Sequence, residues 1–540
     1  QLAASEAEFQ RLFELDSRSQ EAALLWLKNR ALHTLIADQP APGIESALER
    51  ARSLGVEESR LVFGRIASAL AAGDLPGAGQ LVTVWDQRAK GDALYQLFVG
   101  AMFERAGNSQ ALERFQSAAA LQPDLALAHL MAARLALLQL GPEQAKTTVE
   151  MATAHLGPGA ATQVLQGLAW ASAPAGAAAA PELPSAEALS ELPPFLRSTA
   201  AAVEGVRAHR EGHPDQVDAA FQRALGPATE PVLAAWIGYQ ALDAGDVQVA
   251  RSAALRAMEL SALHSDSQAL AARIALADGR LHEARDAARG LDPKSQDALL
   301  IEVVSAYEDL QSNETQRLAS SLPSDAASNA TLRALRESGK VMLGQLRSRN
   351  KSEGDLAQQL AADAQVWGPL IAIDLALDNG QLELADQLLQ AHQKSADQPS
   401  YAARTVRLKR YQGQAEAALE HVRPLLDSKL VSPRAASEAV LAYLDAGRAA
   451  AAASTLSRVG DSAGALAPWL GALVDAARGQ AKPAAKALAQ QPLPSKAEPL
   501  LVQTVALRAL VAGKDRRARA YQGELARRFP HHPEIQLAAR

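Results

Sequence analysis

The sequence predicts an all-α solenoid of about 14–15 antiparallel helical hairpins with a period near 34 residues. Three observations carry this. First, a glycine closes an apolar segment at Gly73, Gly107, Gly141, Gly176, Gly212, Gly245, Gly279, Gly380, Gly413, Gly447, Gly479 and Gly513, at intervals of 32 to 36 residues apart from one of 101. Second, a small residue follows four or five positions later: Ala78, Ala111, Ala145, Val217, Ala250, Ala284, Ala385, Ala418, Ala452, Ala484 and Ala518. Third, hydrophobic residues make up 48% of the chain but aromatics only 4%. Alanine fills the difference; it has the highest helix propensity, and its short side chain lets helices approach closely.

Each hairpin follows from the same local physics. A glycine just past a helix takes the left-handed conformation cheaply and ends it. A polar neighbour caps the next helix. The small residue sets the distance between the two arms. A bulkier residue often stands four positions further on, as at Val82, Phe115, Phe221 and Leu389, on the same helix face. An earlier turn in Asp38–Gly43 fits the phase. The long interval has room for three repeats, with degenerate turns near Asn313 and in Arg347–Gly354. Prolines at 174, 181, 184, 193 and 194 break helices in Ala171–Pro194. The repeat phase survives this stretch, which reads as an irregular hairpin or a joint. The organisation expected is an amino-terminal repeat block over 1–170, the irregular segment over 171–195, and a carboxy-terminal block over 196–540 ending in a basic hairpin.

Asp92–Asp124 resembles a tetratricopeptide repeat: Tyr95, Phe98, Ala111, Phe115, Ala118 and Pro123 stand where that family keeps its aromatic, large, small, aromatic, small and proline residues. The next repeat keeps Ala145, Val149 and Ala152, with Gly157 in place of the proline, and Gly205, Ala208, Phe221 and Ala224 continue the pattern. The resemblance covers most of the chain. It implies a right-handed superhelix whose first helices line a concave surface that holds other proteins. In the two clearest repeats that surface would present Ala93, Gln96, Gly100 and Phe103, then Leu127, Leu130, Arg134 and Leu137. Arg134 alone is basic, which does not suit a clamp for a peptide carboxylate; a mostly apolar wall suits an amphipathic segment. Trp236, Trp367 and Trp469 fall in first helices and, with Arg134 and Phe103, are the candidate partner-binding residues.

Chemistry is sparse. Gly460-Asp461-Ser462-Ala463-Gly464 matches the nucleophile elbow of hydrolases, but the preceding Ala449–Val459 has a helical pattern and no strand feeds the serine. His209 and His213 are four apart, without the intervening carboxylate of a zinc helix and beside Gly212 and Pro214. His531-His532, between two prolines, reads as a solvated terminus. Cysteine is absent, which excludes disulfides and thiolate chemistry. No cofactor or metal is expected. A net charge of -6 argues against nucleic acid as the partner. Lys514, Arg516, Arg517, Arg519, Arg527 and Arg528 make the last hairpin basic, as a polar cap to the stack. No run of apolar residues is long enough to span a bilayer.

The expected function is therefore a non-catalytic protein-binding scaffold, with one or more proteins or amphipathic segments as partners and membrane association only through a partner or an anchor. An assembly factor or subunit of a bacterial cell-envelope complex fits the alanine- and arginine-rich, cysteine-free composition, in the periplasm or at the outer membrane; a cytoplasmic scaffold is the alternative. A structural subunit of a large assembly is the second reading, and a hydrolase using Ser462 the third.

Overall fold

The computed structural model describes residues 18–37, 41–173, 179–226, 229–243, 246–261, 265–277, 280–293, 295–311, 314–315, 317–318, 367–391, 399–426, 431–496 and 498–538. Among them every regular element is helical and no strand occurs. The chain forms two compact units: unit 1 comprises Gln1–Gln240 and Gln248–Ser267, unit 2 Ala241–Val247 and Gln268–Arg540. The Ala/Pro-rich stretch 171–195 lies inside unit 1; Asn313 itself, residues 347–354 and the turn glycines Gly176, Gly245 and Gly279 lie outside the described residues.

Unit 1 stacks the antiparallel pairs α1 (Gln20–Ala37) with α2 (Ile44–Ser53), α3 (Glu58–Ala71) with α4 (Leu75–Ala89), α5 (Ala93–Ala106) with α6 (Ala111–Leu121), and α7 (Ala126–Leu140) with α8 (Pro142–Leu156). It continues through α9 (Ala160–Ser172), the single turn α10 (Ala186–Ser190), the pair α11 (Pro194–Arg210) and α12 (Pro214–Ala224), then α13 (Pro231–Asp243) up to Gln240, and α14 (Val247–Leu260). Unit 2 holds α15 (Ser265–Ala277) from Gln268, α16 (Leu281–Ala288), α17 (Gln296–Glu308), α18 (Trp367–Asp378), α19 (Leu382–Ala391), α20 (Pro399–Tyr411), α21 (Ala415–Glu420) and α22 (Val422–Leu426). It ends with α23 (Pro433–Asp445), α24 (Ala449–Val459), α25 (Ala467–Ala477), α26 (Ala481–Gln490), α27 (Leu500–Ala512), α28 (Ala518–Arg528) and α29 (Pro533–Leu537).

Among the described residues the turns obey the expected rule with two informative departures. Gly73, Gly107, Gly141, Gly212, Gly380, Gly413, Gly447 and Gly479 all have positive φ. After α5, for instance, Gly107 N–H donates to Glu104 O at 3.1 Å and Asn108 N–H to Phe103 O at 2.7 Å, satisfying carbonyls the helix leaves open. Gly513 does not follow: the positive φ, +52°, falls on Lys514, whose N–H donates to Val511 O while Asp515 N–H reaches Leu510 O. Gly513 is small for another reason, since a Cβ there would run into Leu488 Cδ1. Leu310, φ +60°, takes the turn position after α17 with the same pair of bonds, so this turn is made without glycine.

The small residues do what their spacing predicts. Ten of the eleven are buried, and Ala518 is half-buried. A second device brings the arms together. A Cβ on Gly100 would stand 2.7 Å from the Phe115 ring, and one on Gly205 2.6 Å from the Phe221 ring. A phenylalanine of the second helix thus lies on the bare backbone of the first, in both repeats.

The irregular stretch of unit 1 is held to its neighbours. Arg210 donates to the carbonyls of Trp170, Ala171 and Ala173 at 3.0, 2.9 and 2.5 Å, with its guanidinium 4.5 Å over the Trp170 ring. Arg207 bonds Pro181 O, and Leu183 packs against Gly167. The carboxy terminus departs from expectation. His532 is fully buried rather than solvated, and the His531 carbonyl rests against Gly380. The chain folds back after α28, so its last turn, α29, belongs to the core of unit 2 and the basic hairpin is not the end of the stack. Among the described residues no helix is long and apolar enough to cross a membrane.

Candidate functional site

Both units direct charged residues inward from otherwise apolar first helices. In unit 1 the centre is Arg134, in the middle of α7 and 0% exposed. Its Nη1 donates to Glu104 Oε1 of α5 at 2.8 Å, its Nη2 to Glu230 Oε2 just before α13 at 2.5 Å, and its Nε to Thr199 Oγ1 of α11 at 2.9 Å. The Phe195 ring lies 5.3 Å from the guanidinium. First helices three hairpins apart therefore meet on one side chain. Beside this cluster is a chamber of about 230 Å³, walled by Leu35, Leu70, Met131, Phe195 and Leu260 together with Glu104, Arg105 and Glu230. Burial foremost raises Glu104, and the Glu230 charge adds to that; Arg134 opposes both, and the carboxyl sits at about 7.

Unit 2 has a larger cluster. On α20 the spacing of Arg404, Arg407 and Arg410 puts three guanidinium groups on one face. Arg404 meets Glu308 at 2.7 Å and Asp374 at 2.6 Å; Arg407 pairs with Asp378; Arg410 meets Glu438 at 2.5 Å, Asp445 at 2.8 Å and Glu534 at 2.6 Å. Arg434 lies 3.4 Å from Asp374, and Arg508 reaches Asp445 at 2.5 Å and Glu534 at 3.3 Å. Tyr307 donates to Asp374 at 2.8 Å, and His532 packs edge-on against Tyr411. Five guanidinium groups thus face six carboxylates with almost no charge left over. Three of its buried atoms, Arg434 Nε, Glu438 Oε1 and Glu534 Oε2, lack a hydrogen bond, yet its charges pair with one another. The unit 1 cluster sets two carboxylates against Arg134 beside open volume, which makes it the candidate site.

The residues singled out from the sequence are placed as follows. Arg134 does not line an open concave wall: it is enclosed and fully paired, because the first helices that would have framed a groove close on one another. Gln96, Gly100, Leu130 and Leu137 are buried with it. Phe103 is half-buried under the Arg114 guanidinium, 5.6 Å away. Trp236 and Trp469 are buried in unit 1 and unit 2 respectively, as core rather than exposed anchors. Trp367 opens α18, and its side chain lies outside the described residues. Ser462 sits half-buried in the 3-10 segment Gly460–Leu466 that follows α24, with a helix and not a strand before it. His209 is in the last turn of α11, and His213 lies beyond its end, its N–H donating to Ala208 O. Among the described residues no three potential ligands gather as a metal site.

Glu104, Glu230 and the unit 2 acids were not singled out from the sequence. The available signal was a lone charge at the centre of an apolar helix, as in Ala126–Leu140 around Arg134 and Trp367–Asp378 around Asp374. A charge in that position must find a partner or remain buried at high cost.

No family model matches the sequence, and no curated protein does. Among solved structures, the TPR domain of P58(IPK) is 12% identical, with 72% of this chain and 98% of that one covered and a TM-score of 0.22. The Cut9–Hcn1 hetero-tetramer of the APC/C is 12% identical over 94% and 93%, with a TM-score of 0.28, and yeast Tom70 11% identical over 87% and 99%, with a TM-score of 0.25. The repeat is tetratricopeptide-like. That statement rests on the chain's own period, its left-handed turns and its Gly–Phe helix contacts.

Proposed function

We propose that this chain is a non-catalytic scaffold that holds partner proteins on the outer face of its hairpins rather than in a central groove. The observation that carries the reading is where large apolar side chains remain in water. In unit 1, Val84 is 67% exposed, and Leu121, Met151, Leu255 and Met258 are exposed with it. These five lie on α4, α6, α8 and α14, the second helices of their hairpins; the first helices, which face one another, leave Leu25 on α1 and Leu140 at the end of α7 exposed. An assembly role in a bacterial envelope complex is the finer form of this reading, supported by the composition alone.

Crosslinking of the full chain in its native host, followed by identification of the captured proteins, tests it. The variant Val84→Ser, Leu121→Ser, Met151→Ser, Leu255→Ser should keep its helical circular dichroism and lose the captured partner. Unchanged capture by the variant would move the surface elsewhere. Absence of any specific partner with the wild-type chain would defeat the scaffold reading.

A further inference from the structure

The chamber of unit 1 combines two properties that rarely meet in a merely imperfect core. It is large: a dry cavity of roughly 150 Å³ lined by aliphatic and aromatic side chains holds benzene, and this one is about 230 Å³. It is also charged at one end. Arg134 takes one oxygen each from Glu104 and Glu230, and among the described residues no hydrogen bond reaches Glu104 Oε2 or Glu230 Oε1. Neither oxygen is among the buried atoms left without a partner, so each keeps some accessible surface beside the open volume. Most of the remaining wall is apolar; besides the two carboxylates, Thr229 is the one lining side chain with an acceptor, and its hydroxyl donates to Ala224 O.

We propose that this chamber is a binding site for a primary ammonium carried on a short apolar body, the ammonium facing the oxygens of Glu104 and Glu230 that Arg134 leaves unbonded. A compact ammonium has three donors and fits a site with two spare acceptors. A carboxylate ligand would add a third anion to the pair. A neutral apolar ligand would fill the volume and leave both oxygens as they are. Arg105 is the group that opposes a cation: it lines the same wall and donates to Leu70 O at 3.0 Å. The charged groups facing Glu104 are thus Arg134, Arg105 and Glu230. A bound cation favours the ionised form of Glu104, so binding expels the proton the carboxyl keeps near neutral pH and tightens as pH rises from 6 to 8.

The test is calorimetric titration of the full chain with 2-phenylethylammonium, 2-phenylethanol and 3-phenylpropionate at pH 6 and pH 8. The ammonium should bind at least tenfold more tightly than either analogue at pH 8, and more weakly at pH 6. Glu230→Gln keeps an acceptor for Arg134 and should weaken the ammonium at least tenfold while leaving the alcohol unchanged. Leu260→Trp fills the chamber from its half-buried wall and should abolish both. Circular dichroism confirms that each variant is folded. Equal binding of ammonium and alcohol, an unaltered affinity in Glu230→Gln, or no binding at millimolar ammonium would overturn the assignment. None of these results bears on the outer-face scaffold, which has its own variant.

Discussion

Lys514 and Leu310 show how one substitution, to glycine, carries opposite consequences in the same backbone conformation. Both occupy a left-handed turn, which costs a side-chain-bearing residue about 1–2 kcal/mol relative to glycine. Lys514 is exposed and contributes no packing. Lys514→Gly should therefore raise stability by about 1 kcal/mol, read as a higher urea midpoint at constant slope. Leu310 is buried in the core that contains Ala402 and Val406. Leu310→Gly relieves the same strain but strips a core side chain, and the lost burial is the larger effect, about 2 kcal/mol or more. A stabilising Leu310→Gly would mean that turn strain outweighs packing here. Neither position follows from a search for glycine, because a side chain needed in the core can hold a turn that glycine would make more cheaply.

At the scale of the hairpin, the decisive contact is phenylalanine on glycine. Gly100→Ala forces a methyl into the Phe115 ring, and overpacking of this kind costs about 1–3 kcal/mol. Phe115→Leu in the same chain should return part of that loss, giving a coupling energy in a double-mutant cycle measured by chemical denaturation. Additive losses would show that the two residues do not restrain each other. The Gly205–Phe221 pair should behave alike. The period, the turn glycines and the small residues of the second helices were all legible in the sequence, because each is a local requirement repeated every hairpin. The role of the first-helix face was not. Gln96, Leu130 and Arg134 have the helical spacing of a concave wall, yet whether such a wall stays open depends on how tightly successive hairpins wind.

At the scale of each whole unit, winding has placed ionisable groups where pH acts on stability. Burial first, then Glu230, raises Glu104 to about 7 against Arg134, whereas an unfolded glutamate titrates near 4.3. The native state therefore keeps a proton that the unfolded chain has released. This contribution favours unit 1 at low pH and is lost as pH rises from about 4.3 through 7. In unit 2 burial foremost lowers His532 to about 4, against about 6.5 when unfolded. The unfolded chain takes up the proton first, so this contribution is full above about 6.5 and is lost as pH falls towards 4. Burial would raise Glu534, but Arg410, Arg508 and His532 outweigh it and hold it at about 2, so its share is lost below about 4.3. Glu438, raised by burial, works against these two. Single variants separate the contributions. Across pH 4.5 to 7, calorimetry of Glu104→Gln should lose a component falling with pH, and His532→Gln one rising with pH, each on the order of 3 kcal/mol. Identical pH slopes in variant and wild type would show that these groups are solvated.

By itself the sequence determined the helical hairpin, its period, its turns and the small residues that set the distance between its arms. All of these are satisfied within some forty residues of chain, so their chemistry has to be written locally. Only the tertiary structure decided what the first helices face. Arg134 meets Glu230 across 96 residues, and Arg410 meets Glu534 across 124. No local pattern names such partners, because a buried charge states only that a counter-charge is required, and the winding of the hairpins selects which one arrives.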